Sequence, residues 1–303
     1  MDQIEIGIMA HNEAANLPAL MTRLLTEPVS AQICIVSSGS TDGTDAIAEG
    51  LAAQHDHVRA IIEPSRQGKA RAINRFLASL SPSTQAVVII SGDVIPDPGS
   101  LERLLKPLRD DDVRMTGGRP CPANPTRGMV NRIVHFQWVL LDHIARQRPK
   151  LGEMVAFRPP IDPLDPDTVV DEAALEAQLT QQSGRLVYVP EATLTNHGPQ
   201  CWSDLIAQRE RIWVGHRRLF QRTGYRVSTQ RFRDLAGPAF SFVLEHPGWI
   251  PVATAAALVE VLARARGAAL RHFGQELPTI WPRLESTSPG RPLLERHHPL
   301  ERS

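Results

Sequence analysis

At 303 residues and 42% apolar content, the chain is long enough to bury a large core as one domain or one and a half. Lys plus Arg and Asp plus Glu number 33 each, so there is no global field to attract nucleic acid, and nucleic acid is excluded as an expected partner. Three widely spaced cysteines, Cys34, Cys121 and Cys201, form no CxxC pair; they argue against a zinc site or disulfide framework and point to a reducing compartment.

A strand is predicted at residues 4–9, too close to the start for a secretory signal, so a cytoplasmic protein is expected. Leu17, Leu20, Met21, Leu24 and Leu25 then recur at helical spacing behind Asn16, a capping residue. A second strand at 33–36 leads through a Ser/Gly/Thr/Asp turn to a helix bearing Ala46, Ile47 and Leu51. A third strand, 58–62, precedes a helix with Ala70, Ile73, Leu77 and Leu80 on one face. The fourth strand, 87–90, is followed by a helix expected to start at Asp97-Pro98 and to carry Leu101, Leu104, Leu105 and Leu108. Four β-α units in a row predict an α/β fold, a mainly parallel sheet with helices on both faces.

The second half changes character. A strand at 113–117 runs into Pro-rich residues 120–125 and a long helix at 129–147. A Pro/Asp-rich loop, 159–167, delivers a short helix at 171–182. A strand at 186–189 precedes a basic helix at 202–221. Residues 248–263 are apolar but too few to span a bilayer, and they carry Glu260; packing on the protein or peripheral attachment to a membrane is expected. From Pro278 on, Pro, Arg, His and Ser dominate, which predicts a flexible tail.

The polar residues collect after the strands, where open α/β sheets place their ligands. His11-Asn12-Glu13 follows the first strand and a Ser37-to-Thr44 turn the second. After the third comes Arg66-Gln67-Gly68-Lys69, a glycine and a lysine at a helix start, suited to a diphosphate. Asp93 ends the fourth strand, in VVIISGDVIPD, where a carboxylate can hold a cation against a diphosphate. Each has a plain structural alternative: Glu13, Asp171 and Glu172 suit acidic first helical turns, Asp93 suits a turn, and His197 in Asn-His-Gly-Pro suits a structural turn. Trp138, with His135 and Asp142, reads as core packing.

The stretches HNEAANL, SSGSTDGT, RQGKARAIN and SGDVIPDPGSL, then VDEAALEAQL, VYVPEATLTNHGP and QRERIW, together resemble the inverting glycosyltransferases of family 2, across roughly residues 4 to 222. The resemblance implies a GT-A fold, a nucleotide diphosphate sugar donor, a glycan or lipid-linked acceptor, and Mg2+ or Mn2+. It places Asn12, Glu13, Ser38 and Asp42 at the nucleotide and Lys69 at the diphosphate. Asp93 matches the last carboxylate of the metal-binding DxD motif, and His197 a further metal or phosphate ligand. Glu172, with Asp171 beside it, matches the general base. Gln208, Arg211 and Trp213 resemble QxxRW, near acceptor and diphosphate. The chain departs from the pattern at Ser91, where DxD has its first aspartate, and at Ser37-Ser38, where an aspartate pair is usual. It departs again in the Asp171-Glu172 order, the reverse of the usual one, and at Trp213, one residue late.

The implied organisation is a donor half at 1–118, an acceptor half at 119–225, a helical and membrane-associable extension at 226–277, and a tail at 278–303. Two other functions fit less of the pattern. A degenerate relative that binds a nucleotide sugar or glycan without turnover would suit Ser91. A sugar nucleotidyltransferase would need a Gly-rich loop where His11-Asn12-Glu13 stands.

Overall fold

The computed structural model describes residues 3–182, 184–230 and 232–272. Its first half follows the expected β-α alternation: β1 (Ile4–Ala10), α1 (Leu17–Leu25), β2 (Gln32–Ser38), α2 (Thr44–Gln54), β3 (Val58–Glu63), α3 (Lys69–Leu77) and β4 (Ala86–Ser91). The elements β5 (Ile95–Pro96), α4 (Ser100–Leu105), β6 (Val113–Pro122), α5 (Met129–Gln147), β7 (Met154–Phe157), α6 (Asp171–Gln181) and β8 (Arg185–Asn196) follow. The chain then becomes helical through α7 (Trp202–Thr223), α8 (Phe232–Glu245) and α9 (Ile250–His272).

One eight-stranded sheet runs in the order β3-β2-β1-β4-β7-β6-β8-β5. Parallel pairings join β1 to β2, β1 to β4, β2 to β3 and β6 to β8. Antiparallel pairings join β7 to β4 and to β6, and β5 to β8. The sheet is therefore mixed, because β7, only four residues long and unexpected from the sequence, inserts in reverse beside β4. Alternate residues of the central strands feed two cores. Ile6, Ile8, Ile35, Val88 and Ile90 pack with Leu20 and Leu104 on one face. Met9, Val36, Val87 and Ile89 pack with Ile73, Phe76 and Leu175 on the other. Gly7 is required in β1 because an added Cβ would stand 2.4 Å from the Phe76 ring.

Several boundaries differ from the sequence reading for local reasons. α4 begins at Ser100 rather than at Asp97, since Gly99 turns left-handed (φ 72°) and the Asp97 carboxylate accepts from the Thr193 hydroxyl of β8. The Pro-rich stretch after Gly117 stays in β6 through Pro122, paired with β8. Asn16 stands at the α1 N-cap position but makes no cap bond; its amide donates to Glu13 Oε2 at 2.8 Å. The last helix outruns the apolar stretch: Pro247–Leu270 is long and apolar enough to cross a membrane by length and composition, which corrects the shorter estimate. α9 nevertheless docks on α7, with Glu260 paired to Arg209 and Arg266 to Glu210 at 3.0 Å. The expected tail at 278–303 lies outside the described residues.

Candidate active site

A cleft of about 850 Å³ opens along the carboxyl ends of β1 and β4 and continues between α5, α7, α8 and α9. One rim is made by the loops after β1 and β2, which are stitched to each other. Asn12, at φ 58°, accepts the Thr41 amide at 2.7 Å through Oδ1, while its own N–H donates to Ser40 Oγ at 3.1 Å. Asp42 accepts from the Thr44 and Ala14 amides, each at 3.1 Å. Burial opposes its charge, but these donors and the Thr44 hydroxyl prevail and lower its pKa. Asn12 and Asp42 are thus engaged in shaping the rim and stand outside the cleft lining, which Glu13 and Ser38 join. Gly39 (φ 61°) is fixed by contact, since a Cβ there would lie 2.2 Å from the Arg66 backbone nitrogen.

The opposite rim is ionic. Gly68 (φ 95°) turns the chain into α3 and sets Lys69 at its first position. The Lys69 ammonium lies 2.6 Å from Glu172 Oε1 and 3.0 Å from Asp171 Oδ2, across 103 and 102 residues of sequence. Both acids occupy the first turn of α6, seated by Gly215 of α7, where a Cβ would fall 2.7 Å from Val169 and Val170. Burial opposes the charge on Lys69, yet Asp171 and Glu172 hold its pKa well above the ordinary value. Burial alone would raise Glu172, but Lys69 outweighs it and holds the carboxyl at about 2. Asp171 moves the other way, raised first by burial and then by its neighbour Glu172.

Asp93 and His197 are brought near each other by the pairing of β5 with β8. Asp93 stands in the turn before β5 and His197 just past the end of β8, so the short antiparallel pairing of Ile95 with Thr195 and Pro96 with Leu194 brings the two segments to the same edge. Both line the cleft, and the buried Nδ1 of His197 has no hydrogen-bond partner among the described residues. Burial lowers the His197 pKa, with the Asp93 charge opposing, so the ring favours the neutral form that can donate a lone pair. Sequence reasoning missed Glu153. Pairing of Ile90 with Met154 puts it across from Ser91, and its left-handed backbone (φ 62°) turns it into the cleft. Burial first, then Asp93 and Glu172, raise its carboxyl to about 7. The signal available was a lone acid between Gly152 and an apolar run, which is slight.

No three His, Cys, Asp or Glu side chains among the described residues cluster tightly enough to hold an ion by themselves. An Mg2+ or Mn2+ shared with a diphosphate needs fewer, since such ions keep several waters and take one or two carboxylates plus phosphate oxygens. Asp93 and the orphaned His197 nitrogen fit two such positions. An ion there would neutralise charge on a departing diphosphate.

The remaining wall comes from α5, α6 and α7. Gln208 and Arg211 line it, and the buried Nε of Arg211 has no hydrogen-bond partner among the described residues. Trp213 turns away from the cleft, its ring against Gly267 of α9 and under the Arg217 guanidinium, 5.6 Å from its centroid. Trp138, expected in the core, lines the cleft instead, whereas His135 is buried with Nε2 2.9 Å from the Asn124 carbonyl. Lys150 and His216 were not singled out and also line it. Burial, then Lys150 and Arg209, depress His216 to about 3, so it is neutral. Beneath the wall, fully buried Glu176 accepts the Leu151 amide at 2.6 Å and the Tyr225 hydroxyl at 3.0 Å, with Lys150 at 3.7 Å.

The family model described as glycosyl transferase family 2 matches residues 5–156, just over half of the chain. Over 118 residues the chain is 28% identical to glycosyltransferase AglE of Haloferax volcanii, a stretch covering 38% of each. Over 103 residues it is 33% identical to succinoglycan biosynthesis protein ExoA of Rhizobium meliloti, covering 33% of this chain and 31% of that one. The matched stretch therefore spans less than two-fifths of either relative. Among solved structures, mannosyltransferase PcManGT from Pyrobaculum calidifontis, in complex with GDP-Man and Mn2+, has a TM-score of 0.59 at 20% identity, over 91% of this chain and 81% of that one. Glucosyl-3-phosphoglycerate synthase from Mycobacterium tuberculosis, in complex with phosphoglyceric acid, has a TM-score of 0.50 at 21% identity, over 73% and 80%.

Proposed function

Because the chain belongs to glycosyl transferase family 2 and has the GT-A fold, we propose that it moves a sugar from a nucleoside diphosphate to an acceptor hydroxyl with inversion at the anomeric carbon. One observation carries the reading: Lys69 holds Asp171 and Glu172 inside the same cleft that Asp93 lines. A cation for a leaving diphosphate and a proton acceptor for the incoming hydroxyl therefore share one cavity.

On this reading the donor enters between the β1 and β2 loops and α3. Glu13 and Ser38 contact the nucleotide directly, and Asn12 and Asp42 hold the loops that shape its seat. Asp93 and His197 would hold Mg2+ or Mn2+, a choice supported by the Mn2+ bound in the mannosyltransferase neighbour. Lys69 shifts its ammonium from the acid pair to the diphosphate, and Arg211 meets the same anion or the acceptor. Departure of Lys69 removes the cause of the depressed Glu172 pKa, so the carboxylate gains basicity when the donor is in place. The acceptor oxygen bonds to the anomeric carbon, its proton passes to Glu172, and the bond to the diphosphate breaks. Asp171 supports this charge, Gln208 stands between nucleotide and acceptor, and Trp213 positions α7 against α9.

Residues 1–118 serve the donor and 119–225 the acceptor, in bacterial polysaccharide or glycolipid synthesis at the cytoplasmic face, with α9 as a peripheral membrane contact. A thermal-shift screen of nucleoside diphosphates with and without Mn2+ tests the donor and ion together. The reading expects one base to raise Tm only with the ion, and Glu172→Gln to abolish sugar release from that donor; no stabilisation by any nucleotide would end it. Ser91, in place of a metal-binding aspartate, favours a second reading, a binder without turnover. Tight nucleotide binding with no transfer or hydrolysis across a broad panel would establish that instead.

A further inference from the structure

Another cavity, of about 450 Å³, is lined by Thr84, Gln85, Arg109, Arg114, Arg158 and Pro159, and shares none of these residues with the cleft. Gln85 precedes β4 and Arg158 follows β7, whereas Asp93 follows β4 and Glu153 precedes β7. The two sites therefore stand at opposite ends of the same strand pair, about 20 Å apart at roughly 3.3 Å per residue.

The fold brings two of the arginines together. Met115 pairs with Phe157 in the antiparallel β6–β7 ladder. The next bond, from the Arg158 N–H to the Arg114 carbonyl at 3.1 Å, sets the two residues side by side. Like charges facing each other across strands repel. Gly184 backs the Arg114 stem, since a Cβ there would lie 2.0 Å from Arg114 Cγ. Arg158 is anchored by a bond to the Leu108 carbonyl, and Arg109 adds a third cation from the helical turn after α4.

Nearby acids do not cancel this charge. Asp111 reaches Arg158 at 3.0 Å, but its side chain is 95% exposed and the pair is readily displaced. Asp110 pairs with Arg185, and Glu5, behind Thr84, already accepts from Arg59, the Thr84 hydroxyl and the Ser81 amide. Among the described residues neither Arg109 nor Arg114 pairs with an acid. The Nε atoms of Arg114 and Arg158 are buried and have no hydrogen-bond partner among the described residues. Buried donors in that state call for acceptor oxygens, and phosphate supplies them in the geometry of a guanidinium fork.

We propose that this cavity is a second anion site, separate from the cleft, that binds the dianionic phosphate group of a small phosphorylated molecule. Arg114 and Arg158 grip the phosphate as a pair, Arg109 closes on it from the turn, and Asp111 gives up Arg158 when the anion arrives. A cavity of this volume is in the range that holds a small organic molecule, which favours a phosphate monoester over the bare ion.

The test titrates the intact chain with phenyl phosphate, inorganic phosphate and chloride at constant ionic strength, and reads the amide resonances of residues 84, 85, 109, 114 and 158. Both phosphates should shift these resonances and chloride should not, with phenyl phosphate binding the more tightly. Tighter binding of inorganic phosphate would overturn the monoester assignment in favour of the free ion. Arg114→Gln should weaken phenyl phosphate about tenfold, and Arg109→Gln, at an exposed position, about threefold. Arg211→Gln, in the cleft, should leave both the affinity and these shifts unchanged. Shifts confined to the cleft loops, loss of binding in Arg211→Gln, unchanged affinity in both pocket variants, or equal shifts with chloride would overturn the proposal.

Discussion

The two ends of the cleft are built by different physics. Its polar end rests on strand ends in a buried sheet and on charges that constrain one another: Lys69 against Asp171 and Glu172, and Glu153 against Asp93 and Glu172. Its helical end rests on α5, α8 and α9, where small residues such as Ala239, Ala253 and Ala257 stand beside the charged Glu260 and Arg264. The contrast teaches that the first end is specified by pairing and register, where a displaced group leaves a charge uncompensated. The second is specified by volume, where a change of side chain alters what fits without unbalancing the fold.

The largest expected effect breaks the polar end chemically. Asp93→Ala should lower turnover at least about 100-fold with the fold intact, measured as sugar release from the donor found by thermal shift. Turnover within threefold of the wild type would remove Asp93 from the site. Lys69→Met should come next, leaving two acids uncompensated at a destabilisation of about 2 kcal/mol, seen as a Tm lower by roughly 4 °C. The double variant with Glu172→Gln should recover part of that loss. The sign with pH follows from the Glu172 carboxyl, held at about 2 against an ordinary 4.5. Its stabilisation is complete above pH 4.5 and is lost as pH falls toward 2, so Lys69→Met should flatten the acid limb of a Tm-versus-pH curve.

Glu153 runs in the opposite direction. Its pKa is raised from 4.5 to about 7, so the folded state retains a proton that the unfolded state gives up. Stability from this group is lost as pH rises through that interval. Glu153→Gln should therefore raise Tm by about 3 °C at pH 8 without added metal, and by nothing at pH 4. The smallest effect belongs to the helical end. Glu260 and Arg209 are about a quarter exposed, and Glu260→Gln should cost under about 1 kcal/mol, close to 2 °C in Tm. A larger loss would mean that α9 is held by charge rather than by packing.

Legibility in the sequence follows the same division. The first four strands and their helices were readable because buried parallel strands demand unbroken apolar runs and their helices keep a 3.6-residue stripe. β7 was not, since four residues in MVAF have no period and its antiparallel place depends on edges made elsewhere in the chain. Asp93, Lys69 and Glu172 were legible through spacing and family pattern; their mutual distances were not. Asn12 and Asp42 look like ligand contacts by position, yet their side chains are taken up by neighbouring amides, which only the paired loops reveal. Glu153 escaped because a strained backbone, rather than a motif, aims it. Trp138 lines the cleft and Trp213 packs on α9, the reverse of the core and cleft positions expected, because rotation about a helix axis is set by partners such as Gly267 that the local sequence does not disclose.

Glu176 is the smallest of these structures and the widest in reach. One turn beyond the acid pair, it grips the backbone at Leu151 and the tip of Tyr225, so α6, the segment leading to Glu153 and the segment just after α7 are pinned at a single carboxylate. The three cannot drift separately. The alanines of α8 and α9 can therefore vary one at a time, while the side that carries Asp171, Glu172 and Glu153 yields only to coordinated replacement.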